Sequence, residues 1–283
     1  MVSGWMFHFM LVGSLLGGAG LLLEAVCGRL ALPRRGAWVL ASIASVALPL
    51  ASWLRPAPAP AASEAPLIAT GIPVLRTALP MPEPPAGWGN LAAGLDPLLL
   101  ALWGTASGLL LIHGALSIVR LRRAMPGWTR AQYGDLRVLL SEATGPAVVG
   151  VRGRAIVLPR WVAASDPTVR DLIIAHEQEH IRAADPALLL TARLLAALLP
   201  WNVPLWWQVR RLRLAVEVDC DARVLRRGFD LRSYATLLIE VGRRRAGLDP
   251  ALVAFAEPAS FLERRIRTMT RHQRRTGRGA TVA

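Results

Sequence analysis

The chain has 283 residues, of which 53% are hydrophobic and only 18% are charged, and its formal net charge is +14. This composition is too apolar for an ordinary soluble protein. The only two cysteines, Cys27 and Cys220, imply no disulfide framework.

Long uncharged runs explain the excess of apolar residues and predict three transmembrane helices, because each run is long enough to cross a bilayer. The runs cover residues 5–23, 36–54 and 97–119. A signal peptide is the alternative for the first run, but its positive leading region is missing, since the first arginine is Arg29. We therefore assign residues 1–54 to two helices joined by a short cytoplasmic loop, and residues 97–119 to a third.

The arginines predict the orientation of these helices. All 33 basic residues are Arg, and only five of them precede residue 120. Arginines cluster in the loop 27–36 and directly after the third run, whereas the loop 55–90 holds only two. The positive-inside rule then places the N-terminus outside and everything from residue 120 in the cytoplasm.

Two segments have compositions that favour no packed core. Residues 55–96 are rich in Pro and Ala and predict an extended extracytoplasmic linker. Residues 258–283 are rich in Arg and predict a solvated basic cytoplasmic tail. A membrane-tethered nucleic-acid binder is the competing interpretation of this tail, but no recognition motif supports it, and we expect no direct nucleic-acid partner. The net positive charge fits attraction to the anionic inner leaflet of the bilayer.

The pattern changes to that of a small α+β domain after residue 134. The runs "DLRVLL" and "RAIVLP" predict two strands, and Pro159 hints that the second lies at an edge of the sheet. Asp166 and Pro167 form a helix start signal, so we predict a helix from there to about Ala184.

This predicted helix carries the pattern His176-Glu177-x-x-His180. Residues four apart lie on the same face of a helix, so both imidazoles are placed to bind one metal ion with Glu177 beside it. This is the H-E-x-x-H pattern of zinc peptidases.

The apolar segment 187–208 poses a topological question. It is long enough for a fourth span, but it contains Arg193, and Pro200 and Pro204 flank a turn-like "WNV". The part before Pro200 corresponds to roughly 20 Å of helix, which is too short to cross the hydrocarbon core. A membrane-dipping helical hairpin fits the segment at least as well as a span.

The following helix-like stretch offers a third metal ligand. Glu217 and Asp221 lie one turn apart, so Glu217 is placed to bind zinc while Asp221 accepts the free N–H of a ligating histidine. The alternative is a surface helix whose acids pair with neighbouring arginines.

Taken together, these motifs resemble the zinc metallopeptidase domain of the BlaR/MecR-type antirepressors, which are bacterial integral-membrane peptidases. The resemblance is carried by four stretches: "GPAVVGVRGRAIVLP", "HEQEHIRAADP", "LPWNVPLWW" and "EVDCDARVL". It implies that the zinc ligands are His176, His180 and Glu217, that the catalytic glutamate is Glu177, and that Asp221 supports a ligand. Cys220 fits a buried small residue better than a ligand.

The resemblance also implies the fold and the location. We expect a mainly α integral membrane protein of the bacterial inner membrane, with three transmembrane helices, a membrane-dipping hairpin at 187–208 and a zincin-like cytoplasmic peptidase domain at 120–257. The hairpin is required because a full span would separate Glu217 from the histidines. The chain shows no S-x-x-K acylation motif, so we expect the peptidase without a penicillin-binding sensor domain.

The expected function is that of a membrane-embedded zinc endopeptidase. The resemblance implies a winged-helix repressor of the BlaI/MecI type as its protein substrate, which we expect to lie extended against the strand "AIVLP". Membrane-protein quality control and a non-catalytic scaffold that keeps the zinc fold are the alternatives. The intact Glu177 argues against a scaffold, which needs no general base. Tyr234 is a possible oxyanion stabiliser but fits a core position better.

Overall fold

A computed structural model describes residues 2–54, 86–134, 136–142, 144–150, 155–246 and 259–280. In these residues the chain is mainly helical, with three apolar helices of membrane length and a small mixed four-stranded sheet. Most of the predicted linker lies outside the described residues. Its last part, from Ala86 onward, belongs to the third long helix.

The three long helices are α1 (Val2–Arg29), α2 (Arg35–Leu54) and α3 (Ala86–Ala124). Each has an apolar stretch that suffices by length and composition to cross a membrane, which suggests a membrane protein. α1 and α2 pack against each other. The Asp96 carboxylate of α3 accepts hydrogen bonds from the backbone N–H groups of Val2 and Ser3, which sets α3 beside the start of α1.

The sheet consists of β1 (Thr129–Tyr133), β2 (Leu136–Ser141), β3 (Ala147–Val149) and β4 (Ala155–Pro159) in the order β1-β2-β4-β3. β4 is parallel to β2 and antiparallel to β3. The expectation of an edge position for the strand that ends at Pro159 is therefore wrong, because β4 has a neighbour on both sides. The proline is tolerated because it is the last residue of the strand.

Two helices follow the sheet, namely the single turn α4 (Arg160–Ala163) and α5 (Pro167–Arg182). The helix start predicted at Asp166 and Pro167 is confirmed. The Asp166 carboxylate accepts a hydrogen bond from the backbone N–H of Thr168, and Pro167 occupies the first helical position. α5 packs its buried residues Leu172, Ile173 and Ile174 into the core that includes the sheet.

α6 (Asp185–Leu198) and α7 (Val203–Leu225) form a helical hairpin. In the short turn between them, the Asn202 side chain caps α7 by accepting a hydrogen bond from the backbone N–H of Leu205. The turn lies against the apolar helices α1 and α3, where Trp201 packs against Trp5 and Trp103. The chain therefore reverses direction after residue 200, as predicted.

α8 (Leu231–Ala246) and α9 (Ala259–Ala280) complete the described fold. The expectation that residues 258–283 are a solvated tail is wrong for Arg265 and Met269, which are buried. α9 packs on α7 and α8, and its apolar side chains join the core formed by the sheet and α5.

Candidate metal centre

The two histidines of α5 converge on one point. The Nε2 atoms of His176 and His180 are 3.2 Å apart, and their rings stand nearly perpendicular. Two nitrogens that bind one tetrahedral zinc at the usual bond lengths are separated by about 3.3 Å. The helical spacing of four residues thus produces the distance that a shared metal ion requires.

α7 brings a carboxylate to the same point. Oε2 of Glu217 lies 3.6 Å from Nε2 of His176 and 3.8 Å from Nε2 of His180. The three atoms form a nearly equilateral triangle, slightly wider than the edges of a zinc tetrahedron. The sequence-predicted residues His176, His180 and Glu217 are therefore neighbours, although Glu217 belongs to a different helix.

The other ring nitrogen of each histidine has a partner of its own. Nδ1 of His180 lies 2.9 Å from Oδ2 of the buried Asp185. Nδ1 of His176 lies 2.8 Å from the hydroxyl of Tyr234, which in turn donates a hydrogen bond of 2.7 Å to Asp221. This network assigns the proton of each neutral imidazole to Nδ1 and leaves each Nε2 lone pair directed at the common point.

Two of these partners, Tyr234 and Asp185, are not predicted from the sequence to bind the histidines. We expected Asp221 to bind a histidine directly, but its carboxylate is 3.9 Å from Nδ1 of His176, and the Tyr234 hydroxyl bridges the two groups. Tyr234 lies in the hydrophobic core, as expected. Its hydroxyl contacts Nδ1 of His176, on the opposite edge of the ring from Nε2. Asp185 is not among the residues predicted from the sequence, yet its carboxylate lies within hydrogen-bond distance of Nδ1 of His180.

Cys220 also lies at the centre. Its buried Sγ atom is 3.4 Å from Nδ1 of His176, and Cys220, His176 and His180 form a group whose donor atoms lie close enough together to hold a metal ion. The contact to His176 is on the Nδ1 edge, next to the Tyr234 hydroxyl. Cys220 and Glu217 thus approach the His176 ring from different edges.

The ionisable groups around this point shift one another's pKa values. Burial opposes protonation of His176, but Cys220 and Glu217 outweigh it and raise the pKa of this imidazole to about 10. Burial likewise opposes the charged form of His180, whose pKa Glu217 and Asp185 raise well above its usual value. Burial alone would raise the pKa of Cys220, yet His176 lowers it. Such a set of donors favours a cation.

An arginine from α9 closes one side of the centre. Arg265, which is buried, donates to both carboxylate oxygens of Asp221 at 2.8 and 2.7 Å, and its Nη1 lies 3.2 Å from Oε2 of Glu217. Burial raises the pKa of the Glu217 carboxyl, but Arg265 and His180 together hold it well below its usual range. Glu217 therefore carries the negative charge that a metal ligand needs.

Glu177, the predicted general base, lies on α5 directly after His176. It is 5% exposed, and the α5 residues that precede the motif, Leu172–Ala175, are buried and mostly aliphatic. A carboxylate in such low-dielectric surroundings interacts strongly with any charge that develops near it.

Comparison with known families agrees with this geometry. The family model described as BlaR1 peptidase M56 matches residues 38–269, which is most of the chain. The chain belongs to this family, and membership in a metallopeptidase family suggests a peptidase that acts on a protein substrate. No curated protein matches the chain.

Proposed function

We propose that the chain is a membrane-embedded zinc endopeptidase in which His176, His180 and Glu217 hold the metal and Glu177 is the general base. The observation that carries the proposal is the convergence of two Nε2 atoms and one carboxylate oxygen at separations of 3.2 to 3.8 Å. The Nδ1 hydrogen bonds support it further, because they orient both lone pairs towards the same point.

Glu217 fits the third ligand position better than Cys220. Its Oε2 atom faces the Nε2 atoms of both histidines, which are the metal-binding atoms of the neutral imidazoles when Nδ1 carries the proton. The described Cys220 contact lies on the Nδ1 edge of His176, where a metal would have to displace the Tyr234 hydroxyl. Cys220 then acts as a buried small side chain whose Sγ atom contacts Nδ1 and the backbone carbonyl oxygen of His176.

The proposed residues divide the chemistry of peptide hydrolysis. Bound zinc would supply a Lewis acid that polarises the scissile carbonyl and makes a water molecule more acidic. The Glu177 carboxylate takes the proton of that water and passes it to the nitrogen of the leaving amine. The buried flank of α5 limits the access of bulk water to these steps.

The sheet offers a place for the substrate, but not at the strand that we had expected. β4, which contains "AIVLP", has a neighbouring strand on both sides, so it is not an edge to which a substrate strand can be added. Among the described strands, β3 (Ala147–Val149) is an edge, and it packs next to α5. We propose that the substrate pairs with β3 in an extended conformation and so crosses the helix that bears the histidines.

The family likeness and the orientation suggest where this chemistry takes place. We propose that loop 30–34, the sheet and the metal centre face the cytoplasm of a bacterium, because arginines follow α1 and α3 on that side. The proposed substrate is a cytoplasmic winged-helix repressor of the BlaI/MecI type, whose cleavage would release transcription.

Metal analysis of the purified protein and cleavage of a co-expressed repressor test this proposal. Wild type should bind about one zinc per chain. His176→Ala, His180→Ala and Glu217→Ala should lose it, whereas Glu177→Gln should keep the metal and lose cleavage of a repressor co-expressed with the peptidase.

Cys220→Ala is the matched control, because Cys220 lies on the same helix as Glu217 and also contacts His176. It should retain zinc. Loss of zinc in Cys220→Ala together with retention in Glu217→Ala would show that the thiolate is the third ligand. Cleavage by Glu177→Gln at the wild-type rate would rule out Glu177 as the base.

A further inference from the structure

The turn that joins α1 and α2 lies against the segments that carry the metal ligands. The backbone N–H groups of Arg34 and Arg35 each donate a hydrogen bond of 2.9 Å to the Asp219 carboxylate of α7. The first N–H groups of a helix lack partners within the helix, so Asp219 caps α2 from outside it. Asp219 lies two residues after Glu217, and the start of a transmembrane helix is thus bound to the ligand-bearing part of α7.

The Arg35 side chain makes a second connection. Its Nη1 donates to Oδ1 of Asp185 at 2.5 Å and to the carbonyl oxygen of Ala183 at 3.1 Å. Oδ2 of the same carboxylate accepts hydrogen bonds from Nδ1 of His180 at 2.9 Å and from Arg223 at 3.0 Å. Asp185 is 1% exposed, so its carboxylate is bound by these partners and has little contact with water.

Further polar contacts fix α7 to the same two helices. Glu24 of α1 accepts hydrogen bonds from Arg211 of α7 and from Trp38 of α2. Deeper in the bundle, the Gln208 amide of α7 donates to the carbonyl oxygen of Gly13 and to the Ser45 hydroxyl. A displacement of α1 and α2 would therefore be carried along α7 as well as through Arg35.

We infer that Arg35 is a positioning residue for the metal centre, acting through Asp185 on His180, and that the α1–α2 turn and the metal centre form one thermodynamic unit. The inference rests on the proposed zinc site. It goes beyond the family match, which begins at residue 38, after this turn. By linkage, if the engaged turn favours zinc binding, then bound zinc must favour the engaged turn.

Zinc affinity of the full-length protein in detergent, measured by competition with a chelator, tests the inference. Direct partners of ligating histidines affect affinity 10- to 100-fold, so Asp185→Asn should fall in that range and Arg35→Gln, one step further away, should weaken binding about three- to tenfold. Arg29→Gln is the matched control, because it removes the same charge from the exposed last residue of α1, next to the same turn, and should leave affinity unchanged. Adding Arg35→Gln to Asp185→Asn should cause little further loss, because both act on one path.

Hydrogen exchange of the wild-type protein supplies a readout that no variant can confound through misfolding. Zinc should slow exchange of the amides of Arg34 and Arg35, which donate to Asp219. If Arg35→Gln and Arg29→Gln bound zinc equally well, or if zinc did not change hydrogen exchange in the turn, the inference would be overturned while the zinc site stayed intact. A folded wild-type protein that binds no zinc would overturn the proposed function and this inference with it.

Discussion

The buried pair of Arg265 and Asp221 gives the sharpest test of the fold around the metal centre. The Arg265 and Asp221 side chains are 4% and 1% exposed, and two hydrogen bonds join them. Arg265→Met would keep most of the volume of the side chain but leave Asp221 charged and without its cation. Removal of one partner from a buried ion pair costs about 3–5 kcal/mol. Because Tyr234 still donates to Asp221, we expect the lower end, about 3 kcal/mol.

Thermal unfolding in detergent measures this loss. A destabilisation of this size should lower the midpoint by roughly 6–12 °C, at about 2–4 °C per kcal/mol for a chain of this order of length. Arg264→Met is the control, because Arg264 precedes Arg265 on α9 but is exposed, and it should change stability by less than about 0.5 kcal/mol. Adding Asp221→Asn to Arg265→Met should recover part of the loss by removing the unpaired charge. Equal midpoints for Arg265→Met and Arg264→Met would refute the docking of α9 on the metal centre.

Three further predictions concern the site and its orientation. Tyr234→Phe should weaken zinc binding roughly 10- to 100-fold, because it removes the partner of Nδ1 of His176; an unchanged affinity would assign the hydroxyl to packing alone. The raised pKa values of His176 and His180 mean that zinc must displace at least one proton near neutral pH, so the apparent affinity should fall by roughly ten- to 100-fold per unit as pH decreases. An affinity that is constant between about pH 8 and pH 6 would contradict this competition. Cysteine labelling should place residues 30–34 and 226–230 on the same, cytoplasmic side of the membrane; opposite sides would make α6 and α7 a crossing rather than a hairpin.

Local patterns in the sequence predicted the elements that depend on nearby residues. The three apolar runs, the helix start at Asp166 and the return of the chain near Pro200 each have their signal within a few residues, because length, capping and helix breaking act locally. The same is true of His176 and His180, whose convergence follows from helical spacing alone. The strands β1 and β3 are not predicted, because β1, with the sequence TRAQY, has few apolar residues and the three residues of β3 are too few to show a period.

The partners of the ligands were missed because they are distant in the sequence. Tyr234 lies 58 residues after His176, and Arg35 lies 150 residues before Asp185, so no local pattern joins them. A signal was present in α9, where Leu262, Ile266 and Met269 recur at helical spacing within the basic segment and mark a buried stripe. The basic composition of the segment outweighs this periodicity, so the burial of Arg265 and Met269 is not predicted from the sequence.

The distribution of arginine shows how the protein stabilises so many buried acids near one site. Glu217, Asp221, Asp185 and Asp219 lie on α7 or at the start of α6, where each would destabilise the fold if left alone. Arg265 of α9 pairs with Glu217 and Asp221. Arg35 of α2 pairs with Asp185, and the first backbone N–H of α2 donates a hydrogen bond to Asp219. Because the planar guanidinium donates along several directions at once, one arginine is able to bridge two groups, as Arg265 does. The negative charge needed for metal binding is therefore held in place by the membrane helices on one side and by the C-terminal helix on the other. We expect zinc affinity to fall when either is disengaged.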